Sequence, residues 1–495
     1  MELKKLVQNI RDIEIIGTSD LNIKKISNNS NEVKPGDLFI AIKGEKFDGH
    51  NYIKNVIKKG VQCIVCEVIP ETKTKNITFI KTKSSKDTYS RICCNFFDNP
   101  SSKLNLVGTT GTNGKTTCST LLYQMFSLNN IKSALISTNE IIINSKSYKT
   151  NLTTPDSYDL NYFLNEMVKT EVKFCFMEVS SHSIDQRRIS GLKFSLGVFT
   201  NISHDHLNYH KTFKNYLNVK KEFFDCLGKE SRSLINIDDK NSNYIIQNTK
   251  SKVYKMSLKT DADYKLKILE NSFNGLVIKI DDKEINTQLI GRFNAYNLLT
   301  VFSTAKIFNL DFDEILIKMS MLKNPNGRFD VIIENGIIGI IDYAHSPDAL
   351  LNVLETIIEI KHKENSIITV VGCGGGRDKE KRLKMGRIAS KYSNTVIFTS
   401  DNPRDEEPES IIDDMICGVD IEDQSKVINI VDRKEAIIKA SKIAKQDDIL
   451  LLAGKGHEDY QIIGSTKNRF DDKETLISLA KNWYDNEFTR PSVGF

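Results

Sequence analysis

Residues 104–117 read LNLVGTTGTNGKTT, with glycines at 108, 111 and 114 followed by Lys115, Thr116 and Thr117. The apolar start predicts a buried strand, and residues 116–126 predict a helix. Between them the glycines let the backbone curl so that the N–H groups of the Gly111, Thr112, Asn113 and Gly114 turn face phosphate oxygens. Lys115 can reach the β- and γ-phosphates, the Thr116 hydroxyl can ligate Mg²⁺, and the helix adds its positive N-terminal end. The strict pattern asks for Gly where Thr109 stands, so this is a variant of the loop. A glycine turn without a ligand is the plainer reading, and the strand–loop–helix order argues against it. The loop alone leaves kinase, motor, switch and ligase all open.

Outward from the loop, apolar runs keep ending in polar clusters. KFCFMEVSS (173–181) and FSLGVFTNIS (194–203) have the texture of parallel strands buried on both faces, and residues 213–226 have helical spacing. After NPNGRFD (324–330) the alternation resumes with IIGIIDYAHS, SIITVVGCGGG, NTVIFTSDNPR, KVINIVD and DILLLAGKGHE, separated by helical stretches at 348–360 and 379–391. These features predict an α/β protein with two doubly wound domains, a central phosphate-loop domain at 100–328 and a Rossmann-like C-terminal domain at 329–495. Residues 1–99, with short strands at 38–42, 62–68 and 77–80, predict a small N-terminal α/β domain, and DNPSSKL around Pro100 reads as the linker. Ligands of open parallel sheets bind beyond the carboxyl ends of strands, so the polar tails are where chemistry is expected.

Bulk properties narrow the class. A chain of 495 residues exceeds one core, and 39% hydrophobic with 27% charged residues describes a globular protein. The 69 Lys and Arg against 64 Asp and Glu leave a net charge of +5, with no basic stripe interleaved with aromatics, which argues against nucleic acid. The N-terminus MELKKLVQNIRDIEIIG lacks a secretory h-region, and no apolar run is long enough to cross a bilayer. Nine scattered cysteines read as reduced core thiols of a cytoplasmic protein, and the lone CxxC at Cys63 and Cys66 reads as strand packing.

Four polar tails add detail. Glu178 ends a strand where a carboxylate can hold Mg²⁺ beside phosphates, within the dense cluster Glu178-Val-Ser180-Ser-His182, Gln186 and Arg188. Residues 201–210 (NISHDHLNYH) carry three of the eight histidines, including His206. A zinc site is the competing reading there, disfavoured because no cysteine accompanies them. Gly291-Arg-Phe-Asn294-Ala-Tyr-Asn297 opens a helix and offers amides to a base or ribose, or simply a cap. Asp342-Tyr-Ala-His345-Ser-Pro347 ends a C-terminal strand, positioned to face the central domain across a cleft.

In order along the chain, GTNGKTT, EVSSH, DHLxYH, GxFNxxN, GRF, DYAHxPD, DNPR and GKGHE resemble the signatures of the Mur ligase family. The resemblance implies a soluble three-domain ligase that uses ATP and Mg²⁺ to activate a carboxylate as an acyl phosphate, which an amine then attacks. It implies that Lys115 and Thr116 hold phosphate and the first Mg²⁺, and that Glu178 and His206 are Mg²⁺ ligands. Lys220 would be the family's carbamylated lysine, with Lys221 the alternative by one register. By residue type alone, both lysines read as solvated surface groups. Asn151, Thr153, Thr154, Ser180, Gln186 and Arg188 would bind a UDP-sugar peptide and Ser30 its uridine side, although the usual DSR reads Asn29-Ser30-Asn31 here. Asn294, Arg328 and Asp342 would contact ATP.

The resemblance further implies that Arg377, Gly454 and Glu458, with Asp401, Asn402, Pro403 and Arg404 of DNPR, bind the incoming amino acid. The expected reaction adds meso-2,6-diaminopimelate to UDP-N-acetylmuramoyl-L-alanyl-D-glutamate for peptidoglycan synthesis. An arginine fork suits bidentate capture of the carboxylate that distinguishes diaminopimelate from lysine. The plainer reading of Arg404 is a surface ion pair with the following DEEPE run. The family's GGDRD reads Gly374-Gly-Gly-Arg377-Asp, one acidic residue short. Alternatives are a lysine-adding member, a folylpolyglutamate-synthetase-like ligase, an oxidoreductase suggested by GCGGGR, and a non-catalytic nucleotide-dependent interaction protein. The expected partners are small molecules only, and the expected state is a monomer.

Overall fold

The computed structural model describes residues 1–44, 47–71, 76–150, 152–334 and 336–487. Its central sheet has nine strands, in the order Tyr264–Lys265, Lys252–Ser257, Arg232–Asn236, Leu196–Phe199, Asn105–Thr110, Phe174–Glu178, Ser133–Ile136, Ile141–Ile143 and Lys146–Tyr148. The first seven are parallel to their neighbours and the last two antiparallel. From Asn105–Thr110 the chain fills one side of the sheet, through Ser133–Ile136 and Phe174–Glu178. It then crosses to Leu196–Phe199 and fills the other. The sheet therefore reverses direction beside the strand that carries the glycine loop, the place where open α/β sheets leave a crevice.

The apolar runs are nearly continuous because both faces are covered. Val107, Phe176 and Val198 pack with Leu121, Leu122, Leu298 and Leu299 of the helices Lys115–Leu128 and Arg292–Ile307. Their neighbours Leu106, Met177 and Phe199 face the opposite way, onto Leu160, Leu164, Phe223 and Phe224. Each such Leu or Phe contributes about 1.5–3 kcal/mol on burial.

The C-terminal sheet runs Asp330–Glu334, Ile337–Asp342, Ile449–Ala453, Ile367–Val371, Thr395–Phe398 and Val427–Asn429, parallel throughout except for its first strand. Helices predicted at 348–360 and 379–391 occur at Pro347–Ile360 and Glu380–Tyr392. The N-terminal sheet has five strands, with Ile13–Ile16 and Ile26–Ser27 at its edges beyond the three expected from the sequence. Those edge strands are short and their polar neighbours hide the period. In Cys63–Cys66, Cys63 faces one apolar cluster and Cys66 the other, so no ion can touch both. Burial pushes their thiols up to about 12 and about 11, which leaves them unreactive at neutral pH. A three-stranded antiparallel sheet over 267–286 and a hairpin over 460–469 complete the fold. Among the described residues no helix is long and apolar enough to cross a membrane.

Candidate active site

A cleft of about 1190 Å³ lies between the carboxyl ends of the central and C-terminal sheets. Its central wall is the glycine loop. The helix that follows starts at Lys115, behind Gly114 at φ +86°, a conformation that favours glycine. A Cβ on Gly111 would lie 1.9 Å from the Thr200 hydroxyl, so only glycine lets the loop lie against the neighbouring strand end. Thr112 N–H donates to the Asn201 carbonyl at 2.9 Å and Asn113 N–H to Asn201 Oδ1 at 2.9 Å, fixing the loop's shape from that strand.

Lys115 Nζ donates to the carbonyls of Gly111 (3.0 Å) and Thr112 (2.8 Å). Burial lowers its pKa, an effect that Glu178 and Asp205 partly offset. Glu178 is buried at the end of its strand. Its Oε1 accepts from Thr138 N–H at 2.6 Å, while Oε2 is buried with no hydrogen-bond partner. An orphaned carboxylate oxygen beside a lysine and a phosphate loop is the donor a hard cation takes, so the residues present fit Mg²⁺. The Thr116 hydroxyl accepts from Arg328 Nη2 at 3.1 Å, which leaves its second lone pair for a cation. Among the described residues no three His, Cys, Asp or Glu side chains gather as a metal cage. Mg²⁺ commonly completes its shell with phosphate oxygens and water.

Lys220 corrects the surface expectation. It is 1% exposed on the helix Phe213–Asp225, its Nζ lies 2.7 Å from the Gly111 carbonyl that also binds Lys115, and it sits 4.8 Å from the Tyr216 ring. The amphipathic helix turns this lysine inward, and among the described residues it forms no ion pair, with Asp205 the carboxylate that pulls on it from further off. Burial, reinforced by the neighbouring Lys115 charge, holds its pKa well below the usual lysine value. Lys221, also buried, is instead tied to Asp225 at 2.6 Å. His206 has left-handed backbone (φ 55°), and burial lowers its pKa and keeps its imidazole neutral.

Arg328 and the carboxyl end of the C-terminal sheet close the other side. Arg328 lies over the Tyr343 ring at 4.5 Å, with its Nε buried and unpartnered. Asp342 accepts from Phe329 N–H at 2.7 Å, and burial raises its pKa to about 6 against the pull of Arg328. Asn294 donates to the Ile290 carbonyl at 2.8 Å and accepts from Asn297 at 2.8 Å, a helix-start role beside the cleft. Deeper in this lobe, Lys455 is fully buried and reaches Asp401 and Glu458, each at 3.3 Å. Asn402 donates to Glu458 at 2.8 Å. Burial and the Asp401 charge raise the Glu458 pKa.

Arg404 makes no ion pair with the DEEPE run. Its Nη1 donates to the Gly375 carbonyl at 2.8 Å and the Asn402 carbonyl at 3.3 Å, while Glu406 of that run pairs with Arg382. Arg377 is exposed at the cleft wall.

Of the expected site residues, the cleft gathers Thr112–Thr117, Thr153, Glu178, Ser180, Arg188, His206, Lys220, Asn294, Arg328, Asp342, Arg377, Asp401, Asn402, Arg404, Gly454 and Glu458. It does not gather Ser30, Gly111, Thr154, Gln186 or Pro403. Ser30 lies with the N-terminal sheet, its carbonyl accepting from Lys59 at 2.8 Å. Thr154 is buried behind the wall, donating to the Glu178 carbonyl at 2.8 Å and accepting from Ser180 N–H at 3.1 Å. Gln186 accepts from Arg188 at 3.0 Å. Asn151 lies outside the described residues.

Sequence reasoning missed Asp348, whose Oδ2 accepts from Asn113 of the glycine loop at 2.7 Å and from Ser203 at 3.0 Å, linking the two lobes. The final Asp of DYAHSPD was the available signal. It also missed buried Lys455, inside GKGHE, and Arg382, which no local pattern marks.

Three family descriptions match the chain: Mur ligase family, catalytic domain, at 22–92; Mur ligase middle domain at 109–305; and Mur ligase, glutamate ligase domain, at 327–456. A UDP-N-acetylmuramoyl-L-alanyl-D-glutamate–2,6-diaminopimelate ligase of Phocaeicola vulgatus is 48% identical, over 97% of this chain and all of the relative. The enzyme of that name from Clostridioides difficile is 39% identical over 96% and 98% of the two chains. A solved structure of a ligase with the same name aligns with TM-score 0.68 and 29% identity, covering 98% of this chain and 99% of the other. The MurF ligase of Thermotoga maritima, solved in complex with ADP, shares the fold at TM-score 0.62 and 17% identity over 94% and 98%. With its glycine loop, orphaned carboxylate and buried lysine meeting a second α/β lobe across one cleft, the chain belongs to the Mur ligase family.

Proposed function

We propose that this chain joins 2,6-diaminopimelate, as its meso form, to UDP-N-acetylmuramoyl-L-alanyl-D-glutamate, splitting ATP to ADP and phosphate. The observation that carries the reading is the pairing of two walls. One holds the phosphate loop with Glu178, His206 and Lys220, and the other holds Asp401, Asn402, Arg404 and Glu458. The relatives' shared name and their near-complete coverage support the acceptor.

The chemistry follows from charge. A carboxylate and the γ-phosphate repel, and Lys115 with Arg328 offsets that repulsion along the loop. Glu178 and His206 would hold Mg²⁺, which neutralises phosphate charge when bound. The buried Lys220 amine, whose pKa burial lowers, is suited to take up CO₂ as a carbamate, a carboxylate able to join that set. The substrate carboxylate attacks the γ-phosphorus, ADP leaves, and the acyl phosphate stays in the cleft. The acceptor amine, having lost a proton, attacks the acyl carbon, and phosphate leaves as the amide forms. Asp401, Asn402 and Glu458 hold the acceptor's ammonium and Arg404 its far carboxylate. Asn294, Arg328 and Asp342 bind the nucleotide, and Thr153, Ser180 and Arg188 the UDP-sugar peptide.

The division of labour we assign is 1–99 for the uridine end, 100–328 for ATP and 329–495 for the acceptor. In support, no sheet among the described residues draws strands from two of these ranges. The reading is of a monomer working in the cytoplasm, where ATP and UDP-sugars are made. Seven buried free cysteines suit a reducing compartment.

The test is ADP release with ATP, the UDP-dipeptide and one of diaminopimelate, lysine or ornithine. Release should require both acid and amine and should favour diaminopimelate. Turnover with lysine alone overturns the acceptor assignment, and release without any amine overturns the ligase reading.

A further inference from the structure

Arg382 is among the largest fully buried side chains in the molecule, and it lies behind the acceptor wall. Its helix, Glu380–Tyr392, brings it between two loops that are distant in sequence. Nη1 and Nη2 each donate to Glu406 at 3.0 Å, and Nη1 also to Asp414 at 2.9 Å. Glu406 reaches onward, its Oε1 accepting from Gly376 N–H at 2.5 Å. One carboxylate therefore grips both the buried guanidinium and the glycine loop 374–376 that leads into Arg377.

The same two loops interlock a second time. Gly375 N–H donates to the Asn402 carbonyl at 2.9 Å, and Arg404 Nη1 returns a bond to the Gly375 carbonyl at 2.8 Å. A Cβ on Gly375 would lie 1.8 Å from the Pro403 carbonyl oxygen, so the loops touch backbone to backbone. Arg404 is also held at its own backbone, N–H to the Ile462 carbonyl at 3.1 Å and carbonyl from Gly464 N–H at 2.8 Å. Only its guanidinium direction is left for the glycine loop to set.

We propose that Glu406, clamped by Arg382, is a positioning residue that sets acceptor specificity. It fixes the glycine loop whose Gly375 carbonyl aims the Arg404 fork, and it acts without touching the acceptor. The inference rests on the functional reading above and deepens it, since it says what makes the carboxylate-reading arginine rigid. A fork must be held to within a fraction of an ångström to tell a second carboxylate from none. Carbonyl hydrogen bonds and an ion pair to a buried guanidinium supply that hold better than a surface loop would.

The test is steady-state kinetics of Glu406→Ala and Glu406→Gln beside the unmodified enzyme, varying diaminopimelate, lysine and ATP in turn. Glu406→Ala should raise the diaminopimelate KM at least tenfold, leave the ATP KM and kcat within about threefold, and shrink the preference over lysine. Glu406→Gln keeps an acceptor for Gly376 N–H but weakens the grip on Arg382, so the same KM should rise less, by about three- to fivefold. Should the alanine variant fail to fold by circular dichroism, the glutamine variant's smaller KM split is the readout. Equal loss in every parameter, or an unchanged diaminopimelate KM in a folded variant, overturns the proposal. If the unmodified enzyme itself prefers lysine, the acceptor assignment has failed instead, and the clamp is then judged on the lysine KM.

Discussion

Arg404→Lys isolates what a fork does that a point charge does not. In the structure Nη1 is occupied by the Gly375 and Asn402 carbonyls. Nε and Nη2 therefore form the free edge that can meet a carboxylate side-on, with two parallel donors. Lysine in the same place keeps the charge and at most one of those donors, because its ammonium has no planar edge. One charge-assisted hydrogen bond is then lost, about 1.5–3 kcal/mol. At about 1.4 kcal/mol per factor of ten, the KM for diaminopimelate should rise about 10- to 150-fold. Lysine as acceptor has no second carboxylate, so its KM should stay within about threefold. The assay is coupled ADP release at saturating ATP and UDP-dipeptide, with each acceptor titrated in turn. Equal changes for both acceptors would mean general damage to the lobe, and no change for either would mean that Arg404 does not read the carboxylate. Both outcomes refute the reasoning.

Lys220→Ala should lower kcat by on the order of 10²–10³, the cost of losing one preorganised electrostatic partner, and a short carboxylic acid should restore part of it. A ¹³C-bicarbonate NMR experiment should show a carbamate signal that survives Lys221→Ala and vanishes in Lys220→Ala; normal turnover in Lys220→Ala sinks the assignment. Thr154→Val preserves shape but leaves the Glu178 carbonyl and the Ser180 N–H unpaired, so urea unfolding should report a loss of about 1–3 kcal/mol. An unchanged midpoint would show that those groups find other partners.

For pH, burial raises the Asp342 pKa to about 6 from 3.8, so the folded state binds the proton more tightly than the unfolded chain. That contribution is complete below about pH 4 and is lost as pH rises through about 6, amounting to up to about 3 kcal/mol. Thermal melts of the nucleotide-free protein should show Asp342→Asn gaining on the unmodified chain across that window. Parallel curves would contradict the assigned cause.

The pattern of apolar run, polar tail and helical spacing was legible because parallel strands buried on both faces carry no period to misread. That is why the strands ending at Thr110, Glu178, Phe199, Asp342, Val371, Phe398 and Ala453 lie inside the apolar runs read from the sequence. The edge strands Ile13–Ile16 and Ile26–Ser27 were not, since edges are short and only partly covered. The glycine loop was legible for a local reason: its conformation depends on residues within one turn of chain.

What the sequence by itself determined is therefore the order of elements, the phosphate loop, and the inventory of polar tails from which the cleft is made. Tertiary structure alone decided which lysine of the pair at 220 and 221 is buried beside Lys115, and that Glu178 keeps an oxygen with no protein partner. It alone paired Glu406 with Arg382, so that Arg404 stays free of the acidic run that follows it. The physical reason is that burial and electrostatic partnership are set by contacts between segments tens to hundreds of residues apart, and residue type and spacing do not encode those distances.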